Sequence, residues 1–180
     1  MNDSAHAGYL TPTSPPPDYD EELERELSRW IRGVSGLPAK MVRPRWTLTQ
    51  PAIPVAGSTW CDFGITKVRQ NVQPAEVTVN DDTDARWQQE SFDVICCFYG
   101  PSGQSVATLF RDGLYISQNN EELNRVGMSL GSCSDIIPAP ELINNQWQRR
   151  YDVTVTLRRK TVREYGIKSF LSAPVKFFGD

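Results

Sequence analysis

From Tyr19 onward the apolar positions Leu23, Leu27, Trp30, Ile31 and Val34 recur at steps of three and four, the spacing that gathers side chains on one stripe of an α-helix. Asp18 followed by Glu21 has capping-box spacing, in which each side chain satisfies an orphan backbone donor, so the helix is expected to begin there. Gly33 and Gly36, then Pro38, end it. A second stripe, Val106, Leu109, Phe110, Gly113 and Leu114, predicts another amphipathic helix after the stop at Gly100-Pro101. Residues 121–125 add a short turn.

Elsewhere the period is two. Residues 41–49 carry Val42, Trp46 and Leu48 and are broken by Pro44, which suits an edge strand or extended segment; Pro51 and Pro54 then force a loop. In 59–69, Cys61, Phe63 and Ile65 alternate with Asp62 and Thr66. The β-prone run 77–79 leads into the turn cluster 80–84. Residues 86–99 are the strongest strand, with Phe92, Val94, Cys96 and Phe98 on one face and Ile95, Cys97 and Tyr99 making the other partly apolar, as a central strand requires. Residues 127–137 suggest a strand, Pro138 and Pro140 a break, and 146–163 one long strand with Tyr151, Val153, Val155 and Leu157 inward and Asp152, Thr154, Thr156 and Arg158 outward. The sum is an α+β domain, a mainly antiparallel β-sheet covered on one face by two α-helices.

A chain of 180 residues holds one well-buried core more readily than two ordinary domains. Residues 1–17, rich in Ser, Thr and Pro, read as a flexible N-terminal arm, 18–165 as the folded body, and 166–180 as an apolar C-terminal interaction segment. No run is long and apolar enough to span a bilayer, and the N-terminus has neither the cationic start nor the apolar core of a signal peptide, so a soluble, cytoplasmically synthesised protein is expected.

Candidate chemistry is sparse. The only histidine, His6, lies in the arm, so imidazole ligands and bases have no scaffold. Cys96 and Cys97 point to opposite faces of a strand, and with Cys61 and Cys133 read as reduced, mostly buried thiols. The carboxylates of 80–84 lack the glycine and distal glutamate of an EF-hand loop and read as a polar hairpin tip. Gly127-Met128-Ser129-Leu130-Gly131 has the letters of a nucleophile elbow without a helix after it or a base for Ser129. Phosphate-binding loops are absent. No catalytic residue, metal or cofactor is expected.

The net charge of −3 argues against a surface that grips nucleic acid throughout, yet Arg149, Arg150, Arg158, Arg159, Lys160 and Arg163 oppose only Asp152 across 149–163. That run is either a solvated strand face or an interface. Trp147, at a loop-to-strand junction, either anchors a partner or caps the core edge.

Four blocks carry a resemblance: Phe63-Gly64-Ile65, Phe98-Tyr99-Gly100-Pro101, Arg111-Asp112-Gly113-Leu114, and Pro140-Glu141-Leu142-Ile143-Asn144-Asn145-Gln146-Trp147-Gln148-Arg149-Arg150, the last continuing through Val153 to Arg159. Together, over about residues 19–173, they resemble the tailed-bacteriophage neck and tail terminator family, with residues 1–17 outside the likeness. The resemblance implies a non-enzymatic structural virion protein of the neck: a homo-oligomeric ring, by analogy a hexamer, that caps the tail tube and joins it to the head-side connector or adaptor. The tail sheath is a further partner where the tail is contractile, and no membrane is involved. DNA would pass through the lumen without specific binding, since a strongly basic lumen would hold phosphates. A heterologous ring needs cross-subunit contacts, for which the candidates are Trp147, Arg158, Arg159, Lys160 and Arg163 with Phe170, Leu171, Val175, Phe177 and Phe178. Two other readings stand beside it: a head–tail connector, adaptor or collar subunit bound to the portal, and a single-stranded nucleic-acid binding module using the basic strand and the aromatic residues.

Overall fold

A computed structural model describes residues 8–55 and 57–167, which gather into two compact units. The larger takes Asp18–Gln70 and Gln89–Lys160; the smaller takes Asn71–Gln88 with the described residues of 1–17 and 161–180.

In the larger unit, helix α1 spans Asp20–Ser35 and buries the expected stripe of Leu23, Leu27, Trp30, Ile31 and Val34. Its start differs from the expected capping box. Tyr19 is the N-cap, no side chain caps the first turn, and the Asp18 carbonyl accepts a hydrogen bond from Arg159 Nη1 at 2.6 Å. Asp20, Glu21 and Glu22 then face the positive end of the helix dipole. Gly36 closes the helix in the left-handed conformation, whereas Gly33 lies inside it. After a 3₁₀ turn, strand β1 (Val42–Pro44) runs parallel to β2 (Trp60–Gln70), which pairs antiparallel with β4 (Thr83–Tyr99). Helix α2 (Gly103–Gly113) follows, then the short helix α3 (Glu121–Arg125) and strand β5 (Met128–Cys133). Leu109 departs from its expected stripe: it is 57% exposed, and Ala107, Phe110 and Leu114 hold the inner face. One residue of offset turns a helical side chain through about 100°.

Beyond β5 the chain contains more pieces than the break and one long strand expected there. Short β6 (Ile137–Pro138) precedes a separate hairpin of β7 (Glu141–Ile143) and β8 (Gln146–Gln148), turned by Asn144 and Asn145 at φ of 50° and 59°. Only then does β9 (Arg150–Gly166) begin. The strand order β1-β2-β4-β9-β5 puts β4 at the centre, as its two-faced pattern predicts, with β6 also on β9. Cross-strand contacts from Thr156 to Asp93 and from Arg159 to Glu90 run in opposite directions along β9 and β4, which makes that pair antiparallel.

The core lies between the helices and one sheet face, where Phe63, Val94, Cys96, Phe98, Val153, Val155 and Leu157 meet Leu27, Ile31, Phe110 and Leu123. The Trp30 ring stands edge-on to Phe110 at 5.7 Å, and its indole N–H donates to the Asn119 carbonyl at 3.0 Å. At Gly113 a β-carbon would sit 2.8 Å from Val34 Cγ1, so this glycine lets α2 approach α1. The architecture is α+β, a mainly antiparallel sheet with helices packed on one face.

In the smaller unit, β3 (Ala75–Asn80) forms a hairpin with the beginning of β4 around the tip Asp81-Asp82. Asn80 Oδ1 accepts the Asp82 N–H at 3.0 Å, so the carboxylate-rich stretch works as a turn. The Thr13 N–H donates to the Glu164 carbonyl at 2.8 Å and the Glu164 N–H to Ser14 Oγ at 3.1 Å. The arm is thereby laid along β9 at this point. Among the described residues of this unit only Ala85 and Thr161 are buried.

Candidate assembly interface

Strand alternation sends Trp60, Cys97 and Tyr99 to the sheet face away from the helices, where they form a second, smaller cluster with Met41, Ile95 and Ile143. Adjacent Cys96 and Cys97 thus belong to different cores, as the period of two requires. Trp60 and Tyr99 stack in parallel at 4.1 Å. Arg43 lies over the Trp60 ring at 5.1 Å and Arg150 over the Tyr99 ring at 5.8 Å, so each ring of the stacked pair also carries a cation.

This group clamps the hairpin. The Tyr99 hydroxyl donates to Glu141 Oε2 at 2.7 Å, and Arg150 donates to the same oxygen at 3.0 Å while gripping Asp152 through two bonds of 2.7 Å. Burial pushes the Glu141 carboxyl up, but the hydrogen bonds from Tyr99 and Arg150 more than offset it and hold it below its usual range. Glu141 and Ile143 face in, so their neighbour Leu142 faces out beside its cross-strand partner Trp147. Trp147 is 74% exposed and does not cap the core edge.

A loop borders the same face. Trp46 has a left-handed backbone at φ 58°, a conformation that costs a non-glycine residue about 1–2 kcal/mol. Its ring rests against Gly64, where a β-carbon would come within 2.5 Å of Cζ3, and Arg45 sits 5.4 Å from the ring centre. Trp46, Leu48, Ile53 and Val55 are all exposed on this loop. Between loop and hairpin lies a cleft of about 520 Å³.

Asp62 stands in the cleft with Arg45 Nε 3.6 Å from its Oδ1, an oxygen that accepts no hydrogen bond. Burial outweighs the pull of Arg45 and pushes this carboxyl up to about 6 from 3.8. The folded state therefore holds the Asp62 proton more tightly than the unfolded chain. The stability this confers is complete below about pH 3.8 and is lost as pH rises through about 6. At about 1.4 kcal/mol per pKa unit the loss is of order 3 kcal/mol. Asp62→Asn is accordingly expected to raise the urea midpoint at pH 7.5 and leave it unchanged near pH 3.5; equal shifts at both pH values would count against desolvation as the cause.

The basic run separates into unlike groups. Arg150 belongs to the clamp. Arg158 and Lys160 are exposed in the larger unit, and Arg163 is half-buried in the smaller. Arg159 corrects the expectation that this side chain is offered to a partner: it is 6% exposed and donates to Glu90 Oε2 at 2.9 Å. Its position continues the inward alternation of Val153, Val155 and Leu157. Phe170, Leu171, Val175, Phe177 and Phe178 lie outside the described residues. The residues missed in sequence are Arg45, Trp46, Asp62 and Glu141; the Glu141-to-Arg150 spacing around Asn-Asn was the one available signal.

Ser129 sits within β5, its hydroxyl 3.5 Å from the Arg158 carbonyl, so no nucleophile elbow forms. Burial raises the Cys61 and Cys97 thiols well above their usual range, away from thiolate chemistry. Among the described residues no group of three or more His, Cys, Asp or Glu side chains is placed to hold a metal ion, and no helix is long and apolar enough to cross a membrane.

A stiff sheet that presents tryptophans from a clamped hairpin and a braced loop has the build of a structural assembly subunit. The family model described as phage neck terminator protein matches residues 21–180, and the chain belongs to that family, whose members are structural proteins of the phage neck and so of the virion. No curated protein matches the chain.

Proposed function

We propose that this protein is a tail terminator whose copies close into a ring, a hexamer by analogy, that caps the tail tube and joins it to the head-side connector. The observation that carries the reading is the family match across residues 21–180, which covers nearly the whole chain. Residues 18–165 form the ring body, and 1–17 and 166–180 act as its arms. The subunit has no catalytic role; DNA crosses the lumen without specific contacts, and a sheath is a further partner where the tail contracts. Trp147 supplies an aromatic anchor of the kind that dominates protein interfaces. Arg158, Lys160 and Arg163 steer docking to acidic surfaces, so charge reversal there slows association more than it destabilises the fold.

The test is the mass of the purified chain and its ring symmetry by negative-stain imaging, alone and with tail tubes. A sixfold ring seated on tube ends is expected, and Trp147→Ala should weaken ring or tube attachment tenfold or more while leaving the melting temperature within about 2 °C. A twelvefold ring would point instead to a connector on the portal. A monomer that ignores tubes would overturn the reading.

A further inference from the structure

We propose that the cleft between the 46–53 loop and the hairpin is the receptor for residues 168–180 of a second copy, so that each subunit is strapped to the next around the ring. This rests on the ring reading and names the contact that closes it.

The cleft is held open by its own walls. Trp46 keeps a left-handed backbone and a ring lodged on Gly64, yet remains 65% exposed, while Arg43 Nη2 donates to the Pro51 carbonyl and ties the far side of the loop to β1. Opposite, Glu141 is fixed by Tyr99 and Arg150, so the hairpin wall is rigid as well. Local strain kept at an exposed aromatic is the mark of a surface shaped for something else to occupy. Its accessible wall is apolar at Trp46 and Ile53, while the unbonded Oδ1 of Asp62 is buried beneath it, 3.6 Å from Arg45 Nε.

Residues 168–180 have the chemistry to fill it. Five of the thirteen are large and apolar, namely Phe170, Leu171, Val175, Phe177 and Phe178, too many to leave in water in a soluble assembly. Lys176 stands between Val175 and Phe177, and Glu141, whose side chain is 39% exposed, is the carboxylate at the cleft that its ammonium group can reach. The family match includes this segment and omits residues 1–20. Fully extended, thirteen residues reach about 45 Å, enough to cross to a neighbouring subunit. A closed ring also needs two different complementary surfaces on every copy, and a cleft plus a strap is such a pair.

The experiment uses two full-length variants: Ile53→Glu, which spoils the cleft on an exposed loop, and Phe177→Ser with Phe178→Ser, which spoils the strap. Trp46→Ala serves as a second cleft variant should Ile53→Glu lower the melting temperature. Each variant alone is expected to lose the ring, with association at least tenfold weaker by sedimentation. Mixed one to one, they should form a heterodimer and nothing larger, because one intact cleft meets one intact strap and neither remaining surface can propagate. Rings formed by each variant alone, with the wild-type ring intact, would overturn the strap while leaving the terminator reading in place. Folded variants that stay monomeric when mixed would do the same. A monomeric wild-type chain would overturn both.

Discussion

Arg159→Ala is expected to remove about 3–5 kcal/mol of stability, the range for breaking a buried ion pair from one side, and to lower the melting temperature by about 10 °C or more. The size follows from how thoroughly the partner is enclosed. The Glu90 side chain is fully buried and its carboxylate is held by Arg159 at 2.9 Å, Gln70 at 2.6 Å and the Tyr19 hydroxyl at 3.1 Å. Arg159 lies between the Tyr19 ring at 4.5 Å and the Phe92 ring at 4.8 Å, and also donates to the Asp18 carbonyl. One guanidinium thereby ties the start of α1 to β4 and β9, replacing the cap that Asp18 and Glu21 do not make. Truncating it strands a carboxylate in the core and frees the first turn of the helix. Urea unfolding of Arg159→Ala, Glu90→Ala and the double variant measures this: the double variant should lose much less than the sum of the two singles, because removing the second charge relieves the first. Losses below about 1 kcal/mol for the singles would mean that water reaches the pair.

Gly100→Ala should cost about 3 kcal/mol and reduce the yield of folded protein. Gly100 sits at φ 94°, where a side chain is strained by about 1–2 kcal/mol, and a β-carbon there would lie 2.1 Å from the Ser58 carbonyl oxygen, so backbone must move. Overpacking of this kind adds about 1–3 kcal/mol. Gly127→Ala is the internal control: its φ is 71°, but nothing stands within 4 Å of the added carbon. It should lose only the conformational part, about 1 kcal/mol. Equal losses at the two glycines, read from denaturation midpoints, would show that Ser58 yields freely and that crowding contributes nothing.

These residues also explain the sequence blocks that first suggested a family. Gly64 makes room for the Trp46 ring, Gly100 for the Ser58 carbonyl and Gly113 for Val34. In the longest block, Glu141 and Arg150 meet at 3.0 Å on either side of the Asn144-Asn145 turn. Each of these residues marks a place where two segments distant in sequence, or the two ends of a hairpin, touch.

Much of the α+β layout could be read directly. The stripe of α1, the two-faced strand β4, the inward run Val153, Val155 and Leu157, and the opposite faces of Cys96 and Cys97 all follow from periods of 3.6 and 2, which are properties of the local backbone. The misses share another origin. Hairpin β7–β8 is only three residues per strand, too short for alternation to declare itself, and it is held by Tyr99 and Arg150 rather than by its own pattern. Trp46 reads in sequence as one more apolar residue near a proline; its ring is seated by Gly64 on the neighbouring strand β2. Arg159 is the clearest case. Its place in the alternation pointed inward, while its charge pointed out, and the conflict was resolved by Glu90, sixty-nine residues earlier. The chain by itself determined where the long helices and strands lie and which face most of their apolar side chains take, because those depend on neighbours within a turn or two. Which charges are buried, which aromatic rings stay exposed and where a cleft opens were decided only by the tertiary structure, because a buried ion or a braced loop is stable only when its partner arrives from a distant part of the chain.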